Sequence, residues 1–260
     1  MRPYDGQAGN IQAWELYKVY NYSKRINKGE RMGIKAIGFD IGQTLVNYNA
    51  PLSWKSLFPD ALSQVARVCG IDKNINLKSA IAILSKYNTR ENPREYEVSS
   101  DVIFKEILGV WNVSYEKLDC AKEAFYRFFQ SNAVLFDDAE PTLAKLSAKG
   151  ILLGFLTDVA YGMDNKYSLE DISQIRSRFD GGFTSVDVGF RKPSSHGFEM
   201  LLEAFGLSPS EMMYVGDEEK DIIGANNVGM VSVLISRNGG EKSWGQNYTI
   251  KGLDEILGLL

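Results

Sequence analysis

Ile34-Lys35-Ala36-Ile37-Gly38-Phe39-Asp40-Ile41-Gly42-Gln43-Thr44-Leu45 is a short apolar run that stops at an aspartate and passes into a glycine-containing turn. Such a run reads as a strand buried on both faces that delivers its last residues into a loop. The pattern recurs: residues 151–156 end at Thr157, residues 213–215 end at Gly216-Asp217, and residues 231–235 close the series. Between the runs lie helical spacings that stop at glycine: Leu143 and Leu146 before Gly150, and Phe198, Leu201, Leu202 and Phe205 before Gly206. Strands alternating with helices define an α/β protein with a parallel sheet covered on both faces, and such sheets bind ligands at the carboxyl ends of their strands.

Residues 51–130 break the alternation. Trp54, Leu57, Phe58, Ala61, Leu62, Val65 and Val68 keep helical spacing, as do Leu77, Ala80, Ile81 and Leu84, then Leu118, Ala121, Phe125 and Phe128. The reading is an all-helical insert after the first strand, with the core formed by residues 32–50 and 131–260. Trp54, Phe58, Trp111, Phe125, Phe128 and Phe129 are expected to pack between helices, one or two of them facing the site. Residues 1–31 are polar and aromatic without clear periodicity, apart from a short helix around Trp14, Tyr17 and Tyr20, and form an N-terminal extension.

The chain has 260 residues, 44% hydrophobic and 24% charged, with a net charge of -4. That length and composition can bury a full core without an oligomer, so a monomer or homodimer is expected. A basic nucleic-acid footprint is absent. No apolar stretch approaches the roughly 20 residues that span a bilayer, and a cytoplasmic location is expected. Cys69 and Cys120 fall in helical segments, where buried free thiols are expected rather than a disulfide. His196 is the sole histidine, which removes Ser-His-Asp and Cys-His schemes and the usual histidine-containing zinc sites. It is expected on the surface at the start of a helix.

The chemistry therefore falls to carboxylates, hydroxyls, lysine or a metal. Asp40, Thr157 and Asp217 end successive strands and converge on one crevice. Lys192 precedes Pro193 in the loop before the Phe198 helix, and Asp221 lies one helical turn after Asp217. Magnesium prefers oxygen ligands and keeps several waters, so clustered carboxylates beside a phosphate suit it. A carboxylate that attacks phosphorus splits one hard displacement into two steps. Asp217 also suits a helix N-cap. The acids Asp158, Glu218 and Glu219 suit solvent.

Phe39-Asp40-Ile41-Gly42-Gln43-Thr44-Leu45, Gly154-Phe155-Leu156-Thr157-Asp158, Arg191-Lys192-Pro193 and Val215-Gly216-Asp217-Glu218-Glu219-Lys220-Asp221, in this order, resemble the motifs of the haloacid dehalogenase-like hydrolase superfamily. The resemblance covers roughly residues 34–257. It implies a Rossmann-like doubly wound core, with the insert as a C1-type cap. It also implies Asp40 as nucleophile, Thr157 and Lys192 as phosphate ligands with Asp158 beside them, and Mg2+ held by Asp40, Asp217, Asp221 and the backbone of Gly42. The implied substrate is a small phosphorylated metabolite, reacting through an aspartyl-phosphate.

Phosphatases of this superfamily carry a second aspartate two residues after the nucleophile, where this chain has Gly42. General acid-base catalysis contributes about 10²- to 10⁴-fold, so its loss implies a preference for acyl or aryl phosphates, or a proton donor elsewhere. A non-catalytic phosphate-sensing protein, a dehalogenase, and a phosphonatase using a lysine of the insert (Lys55, Lys73, Lys78, Lys86, Lys105, Lys117 or Lys122) are the alternatives. Those lysines are expected to be solvated.

Overall fold

The run that ends at Asp40 is an inner strand of the main sheet. The computed structural model describes residues 33–48, 54–71, 75–130, 133–240 and 242–260; the expected N-terminal extension and Lys73 lie outside them. The strands are β1 (Ala36–Phe39), β2 (Val46–Tyr48), β3 (Ala133–Leu135), β4 (Leu152–Thr157), β5 (Gly181–Thr184), β6 (Met212–Gly216), β7 (Val231–Ile235) and β8 (Tyr248–Ile250). Six form one sheet in the order β5-β4-β1-β6-β7-β8, and every pairing in it is parallel. Phe39 is in register with Phe155 on one side and Val215 on the other, so Asp40, Thr157 and Asp217 leave the sheet at the same edge.

Alternation along β1 sends its side chains to two cores. Ile37 and Phe39 pack with Leu143, Leu146, Leu153 and Val215 on one face. Ala36 faces Phe198, Leu201, Leu202, Phe205 and Tyr214 on the other. Close approach explains Gly38: a Cβ there would come 2.8 Å from Leu201 Cδ2. The α/β fold with its parallel sheet is the expected one, but β5 and β8 were not expected. Gly182 in β5 lies against its register partner Phe155, where a Cβ would fall 2.3 Å from Phe155 Cδ1. Glycine is depleted from strands, so the residue that this close packing requires also hides the strand. β8 is three residues long, with two of them exposed.

Helices α1 (Phe58–Val68), α2 (Leu77–Tyr87), α3 (Ser100–Val110) and α4 (Leu118–Gln130) follow β2. They share a core containing Phe58, Leu62, Leu84, Ile103, Phe104, Phe125 and Tyr126. The insert does not leave the first strand directly. It hangs from an antiparallel pair, β2 with β3, in which Val46 faces Leu135 and Tyr48 faces Ala133. The three longer helices of the α/β part are α5 (Ala139–Ala148), α6 (Ser195–Phe205) and α7 (Glu219–Val228).

Two expectations about the insert are corrected. Cys69 and Cys120 are not free thiols but form a disulfide, because the packing of α1 on α4 brings their Cα atoms to 5.8 Å. Lys122 is not solvated: it is 5% exposed, with its ammonium 2.6 Å from Asp101 and 3.0 Å from Asp164.

The disulfide closes a loop with a sequence separation of 51, for which the chain-entropy model gives about 4 kcal/mol. Thermal unfolding followed with and without dithiothreitol should therefore show a lower Tm on reduction, and titration of the native protein should find no free thiol. Two reactive thiols with an unchanged Tm would contradict the bridge. A bridge found in protein taken from cells would also bear on the cytoplasmic expectation, since reducing cytosols disfavour disulfides outside hyperthermophiles.

Candidate active site

Strand ends deliver the candidate groups. Asp40 follows β1, and its N–H donates to Val215 O at 2.9 Å, joining the two central strands at their carboxyl ends. Thr157 is the last residue of β4, Asp217 follows β6, and Asp221 lies in the first turn of α7. Gly216 permits that last placement. A Cβ at Gly216 would lie 2.4 Å from Asp221 Cγ, so only glycine lets the carboxyl rest against the strand. Asp221 Oδ2 accepts from the Glu218 N–H at 3.0 Å. Glu218, rather than Asp217, takes the N-cap position, which leaves Asp217 directed by the loop instead of the helix.

Lys192 ties these groups together. Its Nζ donates to Asp40 Oδ1 at 2.6 Å and lies 2.6 Å from Asp221 Oδ1, the latter an ion pair rather than an aligned hydrogen bond. It also contacts Leu156 O and the Tyr214 hydroxyl, each at 3.2 Å. The Tyr214 O–H donates to Leu156 O at 2.6 Å.

Charge inside this site is unbalanced. Burial opposes the Lys192 ammonium, but Asp221 and Asp40 outweigh burial and hold it well above the usual lysine range. Burial pushes the Asp40 carboxyl up to about 6 against the pull of Lys192, with Asp221 adding to the rise. Burial, followed by the repulsion of Asp40 and Asp221, raises Asp217 to about 8. Asp40, Asp217 and Asp221 each offer an oxygen, all within 4.8 Å of one another. Such an oxygen donor set, more negative than one lysine offsets, fits a hard divalent cation.

Asp158 departs from the expectation that it faces solvent. It is buried beneath Lys220, whose ammonium is 3.0 Å away, and it accepts the Lys192 N–H at 3.1 Å. Burial resists its ionisation, yet Lys220, Arg191 and Lys192 bring it down to about 2. A carboxylate so engaged anchors the lysine loop and is a poor side-chain ligand for phosphate. Glu219 is exposed and Glu218 half-buried. His196 is exposed at the start of α6, stacked on Phe190 with ring centroids 3.8 Å apart.

One supporting element escaped sequence reasoning altogether. The segment between α2 and α3 runs beside the lysine loop: the Arg191 N–H donates to Glu95 O at 2.7 Å and the Glu97 N–H to Gly189 O at 2.9 Å. Buried Glu97 pairs with the Arg191 guanidinium and accepts from the Ser185 hydroxyl at 2.5 Å. Glu97 sits in a polar, aperiodic stretch, and no local spacing singles it out.

These groups floor a cleft of about 1070 Å³. Asp40, Gly42, Thr157, Lys192 and Asp217 line it, and Trp54, Tyr87, Arg90 and Phe129 from the insert segment face them. Trp54 stacks on Phe129 at 3.9 Å between centroids, so two of the expected packing aromatics do reach the site. Among the described residues, no lysine of the insert lines the cleft.

Comparison with known proteins agrees with this geometry. The family model for haloacid dehalogenase-like hydrolases matches residues 34–229. Over 215 residues the chain is 27% identical to a glyceraldehyde 3-phosphate phosphatase of Methanothermobacter thermautotrophicus, a match covering 78% of this chain and 86% of that protein. A phosphoserine phosphatase of Thermus thermophilus is 30% identical over 136 residues, about half of either chain (52% and 53%). The crystal structure of a HAD phosphatase from Thermococcus onnurineus superposes with a TM-score of 0.60 at 27% identity, covering 87% of this chain and 97% of that one. The chain belongs to the haloacid dehalogenase-like hydrolases.

A raised carboxyl makes stability fall as pH rises, because the unfolded group ionises near 4 while the folded one holds its proton to about 8. In chelator, Asp217→Asn should therefore raise the Tm at pH 8 by several degrees, and the gain should vanish near pH 4. A gain that does not depend on pH would contradict the proposed charge crowding.

Proposed function

We propose that this protein is a magnesium-dependent phosphohydrolase that transfers a phosphoryl group from a small phosphorylated metabolite to Asp40 and then to water. The observation that carries this reading is the assembly, at one sheet edge, of a carboxylate held by a buried lysine beside two further carboxylates. The phosphatase names of several relatives support the choice of phosphate over other leaving groups. In this reading the four-helix insert is a cap that encloses the leaving group, and the large aromatic-walled cleft holds that group.

Asp40 Oδ attacks phosphorus in line with the leaving oxygen. Lys192, fixed by Tyr214 and Leu156 O, offsets charge on the nonbridging oxygens, and the Thr157 hydroxyl orients them. Asp40, Asp217, Asp221 and the Gly42 backbone would hold Mg2+, which when bound supplies charge neutralisation to the phosphoryl group. Asp158 and Glu97 keep the lysine loop in place. A phosphonatase reaction through a lysine of the insert loses its support among the described residues, since none of those lysines lines the cleft.

Phosphate release from acyl, aryl and alkyl phosphates should require magnesium and fall by at least about a thousandfold in Asp40→Asn, as removal of a nucleophile does elsewhere. Tight magnesium binding without release from any substrate would instead favour a phosphate-sensing protein that has lost turnover with the second aspartate.

A further inference from the structure

Gly42 leaves the nucleophile without the aspartate that would protonate the leaving group, and a different side chain stands on that flank of the cleft. A Cβ at Gly42 would lie 3.5 Å from Tyr48 Cε2, an ordinary contact, so the phenol occupies the space next to where a side chain at position 42 would project. The Tyr48 hydroxyl is 2.8 Å from Asp171 Oδ2. The other oxygen of Asp171 accepts from Gln130 Nε2 at 3.4 Å, and the same amide donates to Tyr167 O at 2.5 Å. Tyr48, Gln130 and Asp171 come from β2, the end of α4 and the segment after β4, yet all three line the cleft that contains Asp40, Thr157 and Lys192. A phenol in such a place needs a reason: the pair is polar, partly buried, and unused by the phosphate-binding groups.

Electrostatics agree with the geometry. Burial, and after it Asp171, holds the Tyr48 phenol well above its usual range, and Asp40 is near enough to add to that rise. Burial raises the Asp171 carboxyl as well. The proton of the pair is the one on the phenol, which the Tyr48 hydroxyl donates to Asp171 Oδ2.

We propose that Tyr48, backed by Asp171, is the proton donor to the leaving-group oxygen and the proton acceptor from the attacking water, in place of the aspartate missing at position 42. In the first step the bond from Asp40 Oδ to phosphorus forms and the bond from phosphorus to the leaving oxygen breaks. The leaving oxygen takes the Tyr48 hydroxyl proton, which leaves a phenolate beside the cleft. In the second step water oxygen bonds to phosphorus and the Asp40–phosphorus bond breaks. The water proton passes to the Tyr48 phenolate oxygen, which restores the hydroxyl. One alcohol and one phosphate leave, and the pair is reset. Tyr48 would touch the reacting atoms; Asp171 and Gln130 act through it as positioning residues. The proposal rests on the Asp40 reading given above.

The experiment is a comparison of kcat/KM for aryl phosphates of graded leaving-group acidity and for a simple alkyl phosphate, with magnesium, in the native protein, Tyr48→Phe, Asp171→Asn and Asp40→Asn. Tyr48→Phe keeps the ring and hence the packing. It should lower alkyl phosphate turnover by about 10²-fold while the most acidic aryl leaving group changes little, steepening the dependence on leaving-group pKa. Asp171→Asn should shift the series the same way. Because position 42 has room for a Cβ, Gly42→Asp in the Tyr48→Phe background should restore alkyl turnover, which a loss of packing could not produce. An equal fall across the series, or no fall for the alkyl substrate, with Asp40→Asn inactive, would overturn the proton-donor role alone. Turnover retained in Asp40→Asn would overturn the Asp40 reading and this proposal with it.

Discussion

The ammonium of Lys192 is the interaction on which the site depends. It lies buried between Asp40 and Asp221, 2.6 Å from an oxygen of each. Coulomb attraction in so dry a place is large, but so is the cost of taking the charges out of water, and the arrangement holds only while each partner is present. Without the lysine, three clustered carboxylates would face one another with only the more distant Lys220 to offset Asp40. The surrounding structure serves to keep that ammonium in place. Tyr214 and Leu156 O fix its head, Asp158 accepts its backbone N–H, and the Glu97–Arg191 pair braces the residue before it.

That dependence links the insert to the chemistry. Glu95 and Glu97 belong to the connection between α2 and α3, yet they hydrogen-bond the backbone of the loop that presents Lys192. Trp54 and Phe129, from the two ends of the helical segment, stack in the wall of the same cleft. The part that would select a substrate and the part that would attack it thus share contacts rather than meeting only through the ligand.

Much of this was legible in the sequence, for a physical reason. β1, β4, β6 and β7 are buried on both faces, so they appear as uninterrupted apolar runs, and the polar residue closing each of the first three marks the strand end where ligands bind. Asp40, Thr157 and Asp217 could be found that way, Asp221 by its one-turn spacing from Asp217 and Lys192 by its place before Pro193 and the Phe198 helix, and the structure gathers all five in one cleft or its floor. What stayed hidden depends on distant packing. β5 was masked by Gly182, which packing on Phe155 requires. The Cys69–Cys120 bridge follows from how α1 lies on α4. Buried Lys122 is explained only by Asp101 and Asp164. Tyr48 and Asp171 are 123 residues apart, so no local spacing connects them.

The central claim is that Asp40 carries the phosphoryl group. Acid quenching during turnover of an aryl phosphate, borohydride reduction of the trapped acyl phosphate and mass spectrometry of the peptides would test it most directly. Conversion of Asp40, and of no other carboxylate, to homoserine is the result the account predicts. Turnover at an undiminished rate with every carboxylate unmodified, or modification at Asp217 or Asp221 instead, would contradict it.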